Sequence, residues 1–552
     1  MSSSNKRNAT NILVQGSILA IASFISRIIG LVYRIPLNGI IGKKGNDYYG
    51  TAFEIYSILL IMSAYSLPLA VSKLVSARVA MGQRKNAYRI FKGALMLALI
   101  SGGIATLIVY FGASIFTQML RTPLAVFALK VLAPTILVAA VLGVVRGFFQ
   151  GLGTMMPSAV SQIVEQIVNA IVSVGAAFIL FGYGSRIGAV LGNEDDYGSA
   201  YGAAGGTLGT NLGAVFGLLF VGFLFFAYKP MFKRQMRRDR SNQTESYADI
   251  FKILLLTIVP VLLSTTIYNI SGIIDQAIFK NVANLQGYSS DNISEWWGIF
   301  CVQYKTIINI PLAIASAMAA SCVPNLSAAY SCRDRDGVRR QINTAIRFIM
   351  VISIPCAVGL GVLASPVMLL LFHETSPVAG GLIRAGAISV VFYSMSTLSN
   401  GLLQGIDRMR EPVKNALIAL VLHIAFLFFL MFGLHLNIYA VVYANAFFAF
   451  VMCVLNAMSV KRYSGYRQEV VKTFLVPAAS SAIMGVLVYL VYELIHNFTH
   501  NNPIATIVAI IIGGISYFVC LLLLKGLSEE EMLRLPKGRT ILSIARKMKL
   551  MK

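Results

Sequence analysis

The sequence predicts an all-α polytopic membrane protein. About fourteen transmembrane helices form two six-helix lobes in parallel pseudo-repeat, with two extra helices at the C-terminal end. Three observations predict it. Of 552 residues, 57% are hydrophobic and 12% charged, where a soluble chain carries about a quarter charged residues. Runs such as GALMLALISGGIATLIVYFGA (93–113) and IATIVAIIIGGISYFVCLLLL (504–524) are long enough to cross about 30 Å of hydrocarbon. Basic residues also gather in alternate loops.

The first helix, 12–34, follows a short basic start. No small-residue cleavage site ends its apolar stretch, so it reads as a membrane helix and not as a cleaved signal. It carries Arg27 and Arg34. The second, 48–81, holds Glu54, LPLAVS (67–72), Lys73 and Arg78. Helix 90–112 is apolar throughout. Helix 124–150 contains Lys130 and Arg146 and runs into GFFQG. Helix 157–182 bears a polar stripe, and 203–228 closes the first lobe. The second lobe reads as 251–280 with Asp275, 295–330 with Lys305 and IPLAIA, 341–372, 378–405 with Arg384 and GLLQG, 413–434 and 437–460. Helices 473–495 and 503–525 are the extra pair.

This division gives an N-terminal lobe at 1–228, a basic linker at 229–250 and a C-terminal lobe at 251–460. The extra helices occupy 461–525, and a basic tail fills 526–552. With the N-terminus cytoplasmic, the inner loops and tails hold 33 Lys and Arg. The outer loops hold five: Lys43, Lys44, Arg121, Arg186 and Lys280. That asymmetry follows the positive-inside rule and places both termini in the cytoplasm. The net charge of +24 therefore faces an anionic leaflet, and its distribution argues against nucleic acid. The six cysteines form no CxxC pair and read as small hydrophobes.

The chain repeats itself. GFFQGLGTMMP (147–157) matches GLLQGIDRMREP (401–412), with Gly147, Gln150, Gly151 and Met155 recurring 254 positions later. LPLAVS recurs as IPLAIA (310–315), and Gly30 aligns with Gly272. Both GhhQG motifs follow a helix ending on the cytoplasmic side, so the halves share an orientation. Two such halves around an axis along the membrane normal form a transporter architecture with its site at the midplane.

Charges inside these helices mark the candidate site. Arg27 and Arg34, at i and i+7, share a face that Ser23 extends. Gln162, Glu165, Gln166 and Asn169 form one stripe, which must face protein or water because lipid cannot satisfy it. Arg27 and Lys305 sit deep and read as functional. Arg34 has two readings, site or outer interface. Lys73, Arg78 and Arg146 lie near helix ends and read as snorkelling to the interface. Glu54 or Glu165 can serve the site or neutralise an arginine. Buried guanidinium groups suit a multivalent anion such as pyrophosphate, which they grip bidentately.

The stretch SRIIGLVYRIPLNGIIGKKGNDYYGTAFEIYS (26–57), the proline-containing LPLAVSKLVSA and IPLAIASAMAASCVPNLSA, and the paired GhhQG turns carry a family resemblance. The chain resembles the multidrug/oligosaccharidyl-lipid/polysaccharide flippase superfamily. Within it, the chain is most similar to the polysaccharide-biosynthesis branch of Gram-positive bacteria, which includes stage V sporulation protein B and the lipid II flippases. The resemblance implies fourteen helices, a V-shaped central cavity and alternating access in a bacterial cell membrane.

It also implies that cavity arginines hold a lipid-linked pyrophosphate. Arg27 matches one of them directly, and Arg34 lies one position from another, where this chain has Tyr33. Asp47 in GNDYYG matches a family acid, and Lys305 falls near a cation of helix 8. A helix 2 arginine of Gram-negative members has no counterpart here. The extra pair resembles helices that form a groove for the lipid tail.

The expected function is translocation of a polyprenyl-pyrophosphate-linked saccharide, foremost lipid II for peptidoglycan synthesis. The alternatives are a capsule, teichoic-type or spore-cortex precursor, or a cation-coupled drug antiporter. Substrate-binding candidates are Arg27, Arg34, Lys305, Asp47, Glu54, Glu165, Gln162 and Asn169. Asp275 and Glu165 are candidates for ion coupling. The expected partners are the anionic lipid-linked saccharide, membrane lipids and cell-wall synthesis proteins.

No cofactor or metal is expected. GIIGKKG (39–45) lacks the spacing and the Ser/Thr of a phosphate-binding loop, so no nucleotide is expected either. The five scattered histidines, HETSP (373–377) and CRDRDG (332–337) offer no enzyme's constellation. The last reads as a charged cytoplasmic turn.

Overall fold

The structure is a computed structural model that describes residues 18–19, 21–237, 239, 244–524 and 526. The basic start, residues 12–17 of the first expected helix, residues 238 and 240–243 of the linker and residues 527–552 of the tail lie outside the described residues. Among the described residues there is no strand.

Two compact units divide the chain at 302 and 303. This division follows packing, whereas the expected lobe boundaries at 228 and 251 rest on the repeat in the sequence. The first unit holds α1 (Ile21–Val32), α2 (Arg34–Leu60), α3 (Leu67–Ala80), α4 (Arg84–Met119) and α5 (Val126–Gly151). It continues with α6 (Met156–Leu191), α7 (Glu194–Arg237), α8 (Tyr247–Asn269), α9 (Ser271–Leu285) and α10 (Ser290–Gly298). The second holds α11 (Lys305–Ser331), α12 (Arg335–Val362), α13 (Ala364–Phe372), α14 (Pro377–Gly386) and α15 (Ser389–Gly405). After these come α16 (Arg410–Phe428), α17 (Asn437–Ser464), α18 (Val476–Thr499) and α19 (Asn502–Leu523).

Among the described residues, eleven helices are long and apolar enough to span a membrane, or twelve if the bent pair α14 and α15 is one span. The protein is thus all-α and polytopic, and the described residues do not confirm the expected count of about fourteen. The expected helix 12–34 contributes only the short α1 to the described residues. The expected helix 251–280 is divided into α8 and α9 at Ile270.

The expected loop between 34 and 48 is helical instead. Gly42, at φ 68°, kinks α2 inside that stretch, a backbone state open to glycine. Leu37 and Ile41 on the near side of the kink are buried and lie against Gly206 and Gly202 of α7. Their burial extends the helix where hydropathy alone suggests a loop.

Two of the longest elements of the first unit are α6, of 36 residues, and α7, of 44. At 1.5 Å per residue α6 is roughly 54 Å long. The two form a hairpin through Gly192, at φ 74°. A methyl on Gly205, Gly209 or Gly213 of α7 would strike the backbone of Ala176, Ser173 or Glu165 on α6. Small residues let backbones touch, which is how helices gain packing energy in lipid. Phe91 of α4, Phe148 of α5 and Phe225 of α7 interlock beside this hairpin, with ring centroids 4.7–5.8 Å apart.

The repeat detected in the sequence has a packing counterpart in each unit. In the first, Gly147 and Gly151 of the GFFQG helix α5 press on Pro68 and Val75 of α3, the LPLAVS helix. In the second, Gly401 and Gly405 of the GLLQG helix α15 press on Ala319 and Leu326 of α11, the IPLAIA helix. The turns that follow also match. Gly153 N–H donates to the Gln150 carbonyl at 3.0 Å, and Asp407 N–H donates to that of Gln404 at 3.1 Å. Both residues take positive φ, 85° and 57°.

Candidate functional site

A polar seam joins α1, α2 and α6 in the first unit. Ser23 on α1 donates to Gln162 Oε1 on α6 at 3.1 Å. Gly30, two turns further along α1, lies over the side chain of Gln166. Arg27 falls between Ser23 and Gly30 on the same face, at i+4 and i−3. It is exposed, and no hydrogen bond or ion pair engages it among the described residues.

Arg34 opens α2, half-buried, beside the phenols of Tyr33 and Tyr49. The two hydroxyls lie 3.4 Å apart. Asn169 Nδ2 donates to Tyr33 Oη at 3.5 Å, while its Oδ1 accepts from Ser173 Oγ at 2.8 Å. Arg34, both tyrosines and Asn169 are thus one connected group. In a low-dielectric interior such a chain holds its members in a single arrangement.

Glu165 on the same stripe is paired. Arg146 Nη2 stands 2.8 Å from its carboxylate, and Arg146 Nε donates to Ser161 Oγ at 2.8 Å. Arg146 therefore does not snorkel, as the sequence suggests. It crosses from α5 to α6, where a carboxylate and a hydroxyl take up its donors. Arg78 likewise turns to Glu245, at 2.5 Å. Lys73 is exposed, and Lys130 lies over the Tyr110 ring, 5.8 Å from its centroid. With Glu165 neutralised by Arg146, Arg27 remains a positive group on the seam.

A second cluster surrounds Asp47. Its Oδ1 lies 2.5 Å from Lys280 Nζ and accepts from Thr51 Oγ1 at 3.1 Å. Its Oδ2 accepts from Ser294 Oγ at 2.6 Å. Lys280 Nζ also donates to Thr122 Oγ1 at 2.5 Å. Gln276 Nε2 donates to Thr51 Oγ1 at 2.5 Å. Both charged side chains are 1% exposed.

Lys280 is thus a correction to the loop count, since it lies inside α9 and is buried. The available signal was spacing. Gln276 and Lys280 stand at i and i+4, a polar stripe on an apolar helix like the one on α6. Three more of the expected outer-loop cations are engaged as well. Lys44 pairs with Asp196 and Asp291, each at 2.7 Å. Lys43 lies 3.8 Å from Glu295. Arg121 donates to Asn281 and Asn284 at 2.7 and 2.8 Å.

The half-buried Glu54 carboxylate fits against Gly272 of α9, where any side chain would collide with it. Asp275, one turn further along α9, is buried. Lys305 begins α11 in the second unit, half-buried. Among the described residues no group of three or more His, Cys, Asp or Glu could hold a metal ion. The six cysteines are unbridged, Cys301 buried and Cys332 exposed.

The family model described as lipid II flippase MurJ matches residues 71–509. The chain belongs to the MurJ family. Over 532 residues it is 26% identical to the lipid II flippase MurJ of Bacillus subtilis, covering 92% of this chain and 94% of that protein. It is 23% identical over 544 residues to stage V sporulation protein B of the same organism, covering 97% of this chain and 100% of the other. A solved lipid II flippase MurJ in an inward closed conformation superimposes with a TM-score of 0.64 at 17% identity. That match covers 91% of this chain and 97% of the other, and it establishes the MurJ-like fold. As a MurJ family member the protein is a multi-pass membrane transporter and not an enzyme.

Proposed function

We propose that this MurJ family protein moves lipid II from the inner to the outer leaflet for peptidoglycan synthesis. Membership of the MurJ family supports the class. The observation that carries the reading is Arg27, an exposed cation on the α1 face that meets the amides of α6. A guanidinium in an apolar segment is costly, roughly 2.5–3.5 kcal/mol on insertion scales. A pyrophosphate partner supplies the paired charge that offsets it.

In this reading Arg27, Arg34 and Lys305 bind the pyrophosphate. Gln162, Asn169, Glu54 and Asp47 shape the headgroup site. The two repeat-related lobes, 1–228 and 251–460, alternate access, with both termini in the cytoplasm. The polyprenyl tail stays in lipid beside the extra helices of 461–525. Glu165 or Asp275 couples the cycle to an ion gradient or to the membrane potential.

The test is depletion of the protein, with the undecaprenyl-linked intermediates on the cytoplasmic side identified. Lipid II should accumulate. Accumulation of another lipid-linked saccharide would overturn the substrate and keep the flippase class. Similarity to stage V sporulation protein B makes a spore-cortex precursor the second reading. Arg27→Ala should abolish complementation while inserting normally in the membrane.

A further inference from the structure

Two adjoining cavities open in the second unit, away from every residue assigned above. One, of about 340 Å³, is a cleft between α12, α15 and α17, walled by Ile346, Met395, Val454, Met458 and Phe474. The other, of about 520 Å³, is lined by Arg339, Arg340, Arg467, Asn343 and Glu469. Both fall in the range of roughly 300–1,000 Å³ seen for ligand sites. Tyr466 is the wall they share.

Their chemistry is divided at that wall. On the polar side stand three arginines against one glutamate. Arg340 and Arg467 are exposed and pair with no carboxylate among the described residues. Arg339 has only Asp336, at 3.8 Å. Tyr466 Oη donates to Asn343 Oδ1 at 2.9 Å, which leaves the Asn343 amide nitrogen as a donor. Burial pushes the Tyr466 hydroxyl up to about 12, so the wall adds no negative charge. On the apolar side the lining is mainly hydrocarbon and sulfur, with Ser399, Lys461 and Gln468 among its lining residues.

We propose that these joined cavities bind an anionic diacyl glycerophospholipid. Its phosphodiester sits among Arg339, Arg340 and Arg467, and one acyl chain lies in the cleft beyond Tyr466. Charge complementarity selects the anion, and the adjoining cleft selects a lipid over a free phosphate. Basic pockets between membrane helices take such headgroups generally. Here Asp334 caps the start of α12 by accepting from Gly337 N–H at 2.8 Å, which fixes the turn that precedes Arg339 and Arg340. This site is independent of the substrate reading.

The test uses the full-length protein in phosphatidylcholine nanodiscs doped with phosphatidylglycerol, with retained lipid counted by native mass spectrometry. One phosphatidylglycerol should remain bound, in preference to phosphatidylcholine. Joint replacement by R339Q, R340Q and R467Q should weaken retention roughly a hundredfold. Ala457→Trp, on the exposed side of the cleft, should weaken retention by narrowing it.

If the triple variant does not fold, Arg340→Gln alone should weaken retention about fivefold. Undiminished retention in the arginine variants would overturn the site. So would displacement of the lipid by inorganic phosphate, which would make it a free-anion site, or by undecaprenyl phosphate, which would make it a substrate site.

Discussion

Lys280 Nζ lies 2.5 Å from Asp47 Oδ1, across 233 positions of sequence, and both side chains are 1% exposed. The pair joins α9 to the middle of α2, and Thr51, Thr122 and Ser294 add further hydrogen bonds. A charge pair this deep is retained because each member neutralises the other. Alone, either would be a bare ion in a medium that cannot solvate it.

Lys280→Met should therefore cost about 3–5 kcal/mol, because it leaves the Asp47 carboxylate buried and unpaired. Adding Asp47→Leu should recover most of that loss, since two apolar side chains leave no charge behind. Thermal unfolding in detergent reads both. A single variant as stable as the parent would show that the carboxylate finds another partner.

Arg146 and Glu165 make a similar pair nearer solvent, with side chains 14% and 25% exposed. A double-mutant cycle with alanine should give a coupling of about 0.5–3 kcal/mol in unfolding. The exchange of the two charges, R146E with E165R, should be better tolerated than either single reversal. A coupling of zero would show that the pair adds nothing to stability.

The glycine contacts of the repeat predict matched losses in the two units. Gly147→Ala drives a methyl into Pro68, and Gly401→Ala drives one into Ala319. Each should cost about 1–3 kcal/mol in unfolding. Gly175→Ala on α6 is the control, since nothing lies within 4 Å of the added methyl. It should be neutral, or stabilise by up to about 1 kcal/mol through helix propensity.

The two equivalent turns carry different residues at their positive-φ position, and that difference has a sign. Gly153, at φ 85°, is at ease in the left-handed region, whereas Asp407, at φ 57°, is not. Gly153→Ala should destabilise by about 1–2 kcal/mol. Asp407→Gly should hold or raise the melting temperature. A fall there would mean that the aspartate side chain contributes more than its backbone costs.

Much of this was legible in the sequence because it is carried by length and period. Apolar runs predict spans, and the spacing of Gln162, Glu165 and Asn169 predicts a polar stripe whose members meet Ser23, Arg146 and Tyr33. The repeat has its counterpart in the paired α3–α5 and α11–α15 contacts. What stayed hidden depends on partners far along the chain. Lys280 reads as a loop cation until Asp47 stands beside it, and Arg146 reads as snorkelling until Glu165 does. The kink at Gly42 was hidden for a related reason. Hydropathy cannot distinguish a polar loop from a helix whose charges meet acids on neighbouring elements.

The contact of α6 with α7 also has a mechanical meaning. Where main chain rests on main chain, at Gly205, Gly209 and Gly213, no pliable layer of side chains lies between the rods to let one slide along the other. The pair is a rigid beam. Any rocking of the first unit must take its flexure from softer joints, and the bend at Gly42 is one that glycine geometry leaves open.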